Sequence, residues 1–134
     1  MSKLEIQGNE YMYDESEIID FAEGLIGLPE MRRAVLVPLP EYAPFCWLTS
    51  IDDELKRFIV VNPEEIYADY KPSLPNGIAG KDLKTLAIVK ISSDWRKTTV
   101  NLRAPIFINS DTKRGSQCVL TDSRYQLAET LPQN

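Results

Sequence analysis

The sequence predicts an all-β domain, mainly antiparallel and barrel-like, with a few short helical turns. Three observations carry that prediction. Nine short runs alternate apolar with polar residues or concentrate β-branched ones. Pro, Gly, Asn and Asp bound those runs at close spacing. Helical periodicity is scant. Many short strands so spaced are the pattern of a barrel or sandwich. With 134 residues and 43% hydrophobic content, the chain is expected to form one domain over 1–134, burying about two thirds of its unfolded surface.

Taken in order, KLEIQ (3–7) alternates Leu4 and Ile6 with charged neighbours, and EIIDF (17–21) and AVLVPL (34–39) are apolar and β-branched. FCWLTS (45–50) places Phe45, Trp47 and Thr49 on one face and Cys46, Leu48 and Ser50 on the other. SIDDELK then turns the chain and RFIVVN (57–62) returns it, forming a hairpin. LAIVKIS (86–92), TTVNLRA (98–104), PIFIN (105–109) and SQCVLTD (116–122) complete the set. In TTVNLRA, Val100, Leu102 and Ala104 are expected inward and Asn101 and Arg103 outward. Pro105 removes a ladder donor, which predicts a sheet edge or bulge there, and an edge offers amides for a docking protein. Helical turns are expected at PEMRR (29–33), PEEIY (63–67) and GKDLK (80–84), each opened by Pro or Gly. YKPSLPNGIAG (70–80) is a loop by its Pro and Gly content, and the tail, about 126–134, is expected to fray.

Composition narrows the chemistry. Charged residues make up 26%, and no apolar run approaches the ~20 residues that cross a bilayer. The first residues, MSKLEIQGNEYMYDE, hold no apolar segment behind basic residues, so a cytosolic protein is expected. Cys46 and Cys118 sit in apolar stretches and read as free thiols, with a disulfide between strands as the alternative. Two cysteines and no histidine cannot furnish a structural zinc site, and no cofactor is expected. The lack of histidine also removes the usual proton shuttle of Ser-His-Asp and Cys-His hydrolysis. G-x-S-x-G, P-loop and G-x-G-x-x-G patterns are all missing. For an enzyme there remains carboxylate or metal-assisted chemistry at Asp52, Asp53 and Glu54, with Glu64 and Glu65. Acids bunched between two apolar strands are more often turn residues, so no enzyme is expected. A barrel holding a small molecule is the other alternative, though no motif supports it.

Charge is uneven along a chain of net charge −5. Residues 1–30 carry one basic residue against eight acids, whereas residues 81–124 carry nine basic residues against four. An acidic quarter repels nucleic acid and attracts basic protein surfaces. The basic residues are spread over several strands with only Trp95 and Phe107 between them, so direct nucleic-acid binding is not expected. Trp47 reads as core or as interface, since a large aromatic with a polar N–H serves both.

The runs FAEGLIGLPE (21–30), PFCWLTSIDDELKRFIVVNP (44–63), TVNLRAPIFIN (99–109) and GSQCV (115–119) resemble, in this order, the flagellar assembly factor FliW family. The segment 68–84 departs from the family, being shorter than the loop many relatives carry. The resemblance implies a small non-enzymatic β-barrel protein. It implies binding to the RNA-binding translational regulator CsrA, which lifts repression of flagellin mRNA, and binding to flagellin, in a partner-switching cycle without nucleic acid or membrane contact. On that basis Glu15, Glu17, Asp52, Asp53 and Glu54 are expected to orient the basic regulator, and Phe45, Trp47, Asn101, Pro105 and Phe107 to lie near docking surfaces.

Overall fold

The structure, a computed structural model, describes residues 1–53, 55–74 and 83–132. Among them, the strands are β1 (Ser2–Ile6), β2 (Asn9–Tyr13), β3 (Ile19–Phe21), β4 (Arg33–Pro38), β5 (Cys46–Ser50), β6 (Arg57–Val61), β7 (Leu83–Lys90), β8 (Thr99–Val100), β9 (Ile106–Asn109), β10 (Arg114–Gln117) and β11 (Glu129–Thr130). Single 3-10 turns stand at Glu15–Glu17, Pro40–Tyr42, Pro63–Glu65 and Trp95–Lys97. No helix among these residues is long and apolar enough to cross a membrane.

Strands β3, β4, β5, β6, β7, β9 and β10 close into a seven-stranded barrel, because β9 pairs with both β10 and β7. Its pairs are antiparallel except β3–β10, where Arg114 faces Asp20 and Gly115 faces Phe21. β7 is long enough, at 8 residues, to serve two partners. Leu83–Leu86 pair with β9, while Val89 and Lys90 pair with β8, on which β11 rests.

The predicted alternation decides which side chains fill the barrel. Leu48, Val60, Leu86, Ile106 and Ile108 point inward with Phe21, Met31 and Ala34, making one buried cluster. The neighbouring positions Trp47, Ile59, Val61, Ala87 and Val89 point outward. A barrel apolar on both sides needs external covers. The β1–β2 hairpin supplies one, laying Leu4 and Ile6 on Val35, Val37 and Trp47. Burying two such aliphatics contributes about 1.5–3 kcal/mol each, enough to hold a ribbon that alone is marginal. The second cover comes from Tyr70, Val100, Leu102, Leu120 and Tyr125, packed over Val61, Ala87 and Val89.

Several expectations are corrected. β2 was absent from the predicted strands; Gln7 and Gly8 both take positive φ (51° and 84°) and turn the chain into it, a weaker hairpin signal than Asn-Gly. Glu17 belongs to a 3-10 turn rather than to strand 17–21, since Asp14 and Glu17 cap one another. PEMRR is not helical: Met31 N–H donates to the Leu28 carbonyl at 3.1 Å, and β4 begins at Arg33. Of GKDLK, residues 80–82 lie outside the described residues, while Leu83 and Lys84 belong to β7. The run 98–104 is strand only at Thr99–Val100, because Asn101 Oδ1 accepts from the Arg103 and Ala104 N–H groups and turns the chain. The run 116–122 keeps only its start in β10, since Cys118 and Leu120 donate instead to the Pro105 and Arg103 carbonyls. Within the tail, β11 pairs with β8, and Leu131 packs on the second cover. Cys46 and Cys118 are free thiols, each half-buried, and burial pushes the Cys46 thiol up.

Candidate functional site

The acidic turn between β5 and β6 is a built loop. Ser50 Oγ accepts from the Asp52 and Asp53 N–H groups at 3.1 Å, and Asp53 Oδ1 accepts from Leu55 N–H at 3.1 Å. Arg33 donates to Asp52 at 2.7 Å, which raises the guanidinium's own pKa. Lys56 reaches Glu30 at 2.9 Å and Asp53 at 3.9 Å, and its hydrogen bond holds the Glu30 carboxyl below its usual range. Asp52 and Asp53 therefore stand in cation pairs at the surface. Glu54 lies outside the described residues. Glu64 and Glu65 sit exposed on the Pro63–Glu65 turn, and no three metal-ligating side chains converge among the described residues.

Glu15 and Glu17 are exposed on the first 3-10 turn, where Glu17 accepts from Asp14 N–H at 2.9 Å. They lie in the acidic quarter that also forms the β1–β2 cover. Of the other residues expected near docking surfaces, Asn101 is half-buried and Pro105 and Phe107 are buried. Asn101 spends its carbonyl on the turn already described. Pro105 is buried, and its own carbonyl accepts from Cys118 at 3.1 Å. Phe107 is 2% exposed on β9, which is paired on both sides and so presents no edge.

Phe45 and Trp47 are half-buried and line an open groove of about 590 Å³. It lies at the seam left between the two covers, where outward Trp47 and Ile59 pair across β5 and β6. Leu39 and Tyr42 form one wall, and Ile91, Trp95 and Leu131 another. Tyr42, Ile91 and Trp95 are 66%, 56% and 59% exposed, which makes the groove's rim apolar as well as its floor. The Arg57 guanidinium stands 5.1 Å over the Trp47 ring. The Thr98 hydroxyl accepts from Ser92 N–H at 3.1 Å. Leu131 is held in place by β11 and by Tyr67, whose hydroxyl donates to the Thr130 carbonyl at 2.9 Å. Burial, reinforced by the charge of Glu129, pushes the Tyr67 phenol up to about 12. Beneath it, Tyr70 donates to the Leu102 carbonyl at 2.7 Å, and burial raises its pKa further still. Sequence reasoning found Phe45 and Trp47 but missed Tyr42, Ile91 and Trp95. The signal was present in SSDWRK, a large aromatic set among polar residues.

The glycine motif at 24–29 does structural work. Gly24 takes φ +69°, and a Cβ there would lie 2.3 Å from the Pro29 carbonyl oxygen. Gln117 ties this loop to the Ala-Pro segment, accepting from Ile26 N–H at 2.9 Å and donating to the Ala104 carbonyl at 3.0 Å. Gly115 leaves room for Phe21, whose ring carbon would lie 2.5 Å from a Cβ.

The barrel interior is filled with side chains, and the apolar groove between the two covers is open. The FliW protein family model matches residues 6–131. The flagellar assembly factor FliW of Clostridium beijerinckii is 34% identical over 129 residues, covering 91% of this chain and 92% of its own. That of Caldicellulosiruptor saccharolyticus is 37% identical over 127 residues, covering 90% and 83%. A crystal structure of the flagellar assembly factor FliW superposes with a TM-score of 0.89 at 26% identity over 99% of both chains. The chain belongs to the FliW family.

Proposed function

We propose that the protein is a non-enzymatic flagellar assembly factor that acts in the cytosol by exchanging partners. It binds CsrA, relieving repression of flagellin mRNA, and it binds flagellin. The observation that carries this reading is the groove of about 590 Å³ lined by Phe45, Trp47 and Trp95, a surface suited to the apolar stripe of an amphipathic segment such as flagellin would bring. The acidic residues of 1–30, among them Glu15 and Glu17, favour approach of a basic RNA-binding regulator and repel RNA carried by it. Asp52 and Asp53 add to that field less than free carboxylates would, because Arg33 and Lys56 stand beside them. Glu54 follows them in the sequence as a third acid.

Titration calorimetry of the protein against CsrA, with and without saturating flagellin, tests the reading. Tight binding to CsrA that flagellin abolishes is expected. An absence of heat with both folded partners would overturn it.

A further inference from the structure

On the reading that the protein works through protein partners, we propose that a second hollow, bordered by β11, holds the ammonium or guanidinium end of a partner's lysine or arginine side chain. The hollow encloses about 280 Å³. That is below the ~300–1,000 Å³ of pockets that take drug-sized ligands, so it suits one side chain and not a folded segment. Tyr67, Tyr70 and Tyr125 make an aromatic wall, and the rings of Tyr70 and Tyr125 meet edge to face at 4.7 Å. The wall is fixed by hydrogen bonds: Tyr70 donates to the Leu102 carbonyl at 2.7 Å, and the Tyr125 hydroxyl accepts from Lys71 N–H at 3.0 Å. Ile66 and Leu102 add aliphatic surface.

The charged residues in the lining are Asp69, Glu129 and Arg124. Arg124 is already spent, with contacts of 2.6, 2.9 and 3.1 Å to the Asp122 carboxylate and its guanidinium 5.4 Å from the Tyr125 ring centre. Asp69 and Glu129 enter no ion pair among the described residues. Asp69 is exposed; Glu129 is half-buried on β11, close enough to Tyr67 for its charge to help raise that phenol. Two unpaired carboxylates thus share the lining with one guanidinium that a third carboxylate neutralises, which leaves the hollow negative. Lys71 and Arg103 stand nearby, but neither lines it, and Glu64 and Glu65 on the turn before Ile66 oppose them. A divalent ion is poorly served, because no three metal-ligating side chains converge among the described residues. An organic cation is well served: its head meets the carboxylates while its alkyl stem lies along Ile66, Leu102 and the tyrosine rings.

The full chain, carrying isotope-labelled tyrosine, is titrated at low ionic strength with the N-acetyl methylamides of lysine, arginine and norleucine and with spermidine. The ring signals of Tyr67 and Tyr125 are followed by NMR, with Tyr67→Phe assigning the first. Saturable shifts are expected with the lysine and arginine amides, weakening as salt rises, and none with norleucine, which shares the stem without the charge. Asp69→Asn with Glu129→Gln keeps the shape of both side chains and should weaken binding of the amides by about tenfold. Asp69→Asn alone, at an exposed position outside the strand ladders, should weaken it by about threefold and covers the case in which the double variant melts early. Equal shifts with norleucine overturn the proposal. So does a lack of saturable shift with either basic amide at about 100 mM, unchanged affinity in a folded Asp69→Asn with Glu129→Gln, or a response to spermidine alone. If CsrA and flagellin bind this double variant in calorimetry as tightly as the parent, this inference falls and the partner-exchange reading stands. If neither binds the parent while the basic amides fill the hollow, that reading falls and the cation site stands.

Discussion

Gly24→Ala and Gly27→Ala form a matched pair that separates two roles for the glycine motif. Both residues take positive φ, +69° and +80°, so alanine at either costs about 1–2 kcal/mol of backbone strain. At Gly27 nothing lies within 4 Å of the added Cβ, and that strain is the whole cost. At Gly24 the Cβ would lie 2.3, 2.5 and 2.6 Å from the O, C and Cα atoms of Pro29. These are backbone atoms of a loop fixed by the reciprocal Leu25–Leu28 bonds and by Gln117, so they cannot move aside as a flexible side chain would. Overpacking of this kind adds about 1–3 kcal/mol, making roughly 2–5 kcal/mol for Gly24→Ala. Unfolding entropy of about 2.1 cal/mol/K per residue converts each kcal/mol into about 3–4 °C for a chain of this length. Calorimetric melting should therefore fall by about 4–7 °C for Gly27→Ala and by about 7–18 °C for Gly24→Ala, with partner affinity at about 20 °C unchanged in the Gly27 variant. Equal melting losses would refute the close approach to Pro29. A collapse of partner binding in a well-folded Gly27→Ala would show that the motif is a contact surface.

Phe107→Ala, at a 2% exposed position on β9, should cost about 3–5 kcal/mol in urea unfolding, whereas Trp95→Ala at 59% exposure should cost under about 1 kcal/mol. Similar losses would contradict their placement. Asp52→Lys with Asp53→Lys should slow association with CsrA at low salt and flatten its salt dependence; a stopped-flow on-rate equal to the parent's would remove the acidic turn from the steering field. The folded-state pKa values of Tyr67 and Tyr70 are raised, so the stability they contribute is full below their ordinary pKa of about 10 and is lost as pH climbs through about 12 for Tyr67. Urea midpoints should hold steady from pH 8 to about 10 and then fall, less steeply in Tyr67→Phe; a flat profile to pH 11.5 would be inconsistent with buried phenols.

The central hairpin was legible because its signal is local. β5 and β6 alternate large apolar residues, and the Ser50-Asp52-Asp53 turn between them carries its own hydrogen-bonding chemistry. The ends of strands were harder to read. Asn101 and Pro105 sit in a run that looks continuous, and only the side-chain bonds of Asn101 show that the ladder stops after Val100. β11 was invisible because ET in a polar tail has no strand signal; its order comes from β8, from the Tyr67 hydroxyl and from Leu131 on the second cover. The groove was half legible for the same reason. Phe45 and Trp47 belong to a readable strand region and Tyr42 to the 3-10 turn just before it, but Ile91, Trp95 and Leu131 reach the groove from two separated segments that the β7–β8 and β8–β11 pairings bring together.

Barrel closure also decides how recognition can occur. The sequence pointed to Pro105 as an exposed edge where a partner strand would add its amides. That route requires a free row of backbone donors, and β9, lying between β7 and β10, has none to give. β11 borders the sheet, but it is two residues long, and the Thr130 carbonyl already accepts from Tyr67. Strand addition to the barrel is thus disfavoured by its own topology, and a contact with the barrel wall falls to side chains. The outward faces of β5 and β6 are the place where they can, because Trp47 and Ile59 lie between two covers that do not meet. Extending either cover over that seam would bury more apolar surface at about 25 cal/mol per Å² and stabilise the free protein. On the proposed reading the same extension would remove the docking surface, so the open seam lowers the stability of the free barrel in return for recognition.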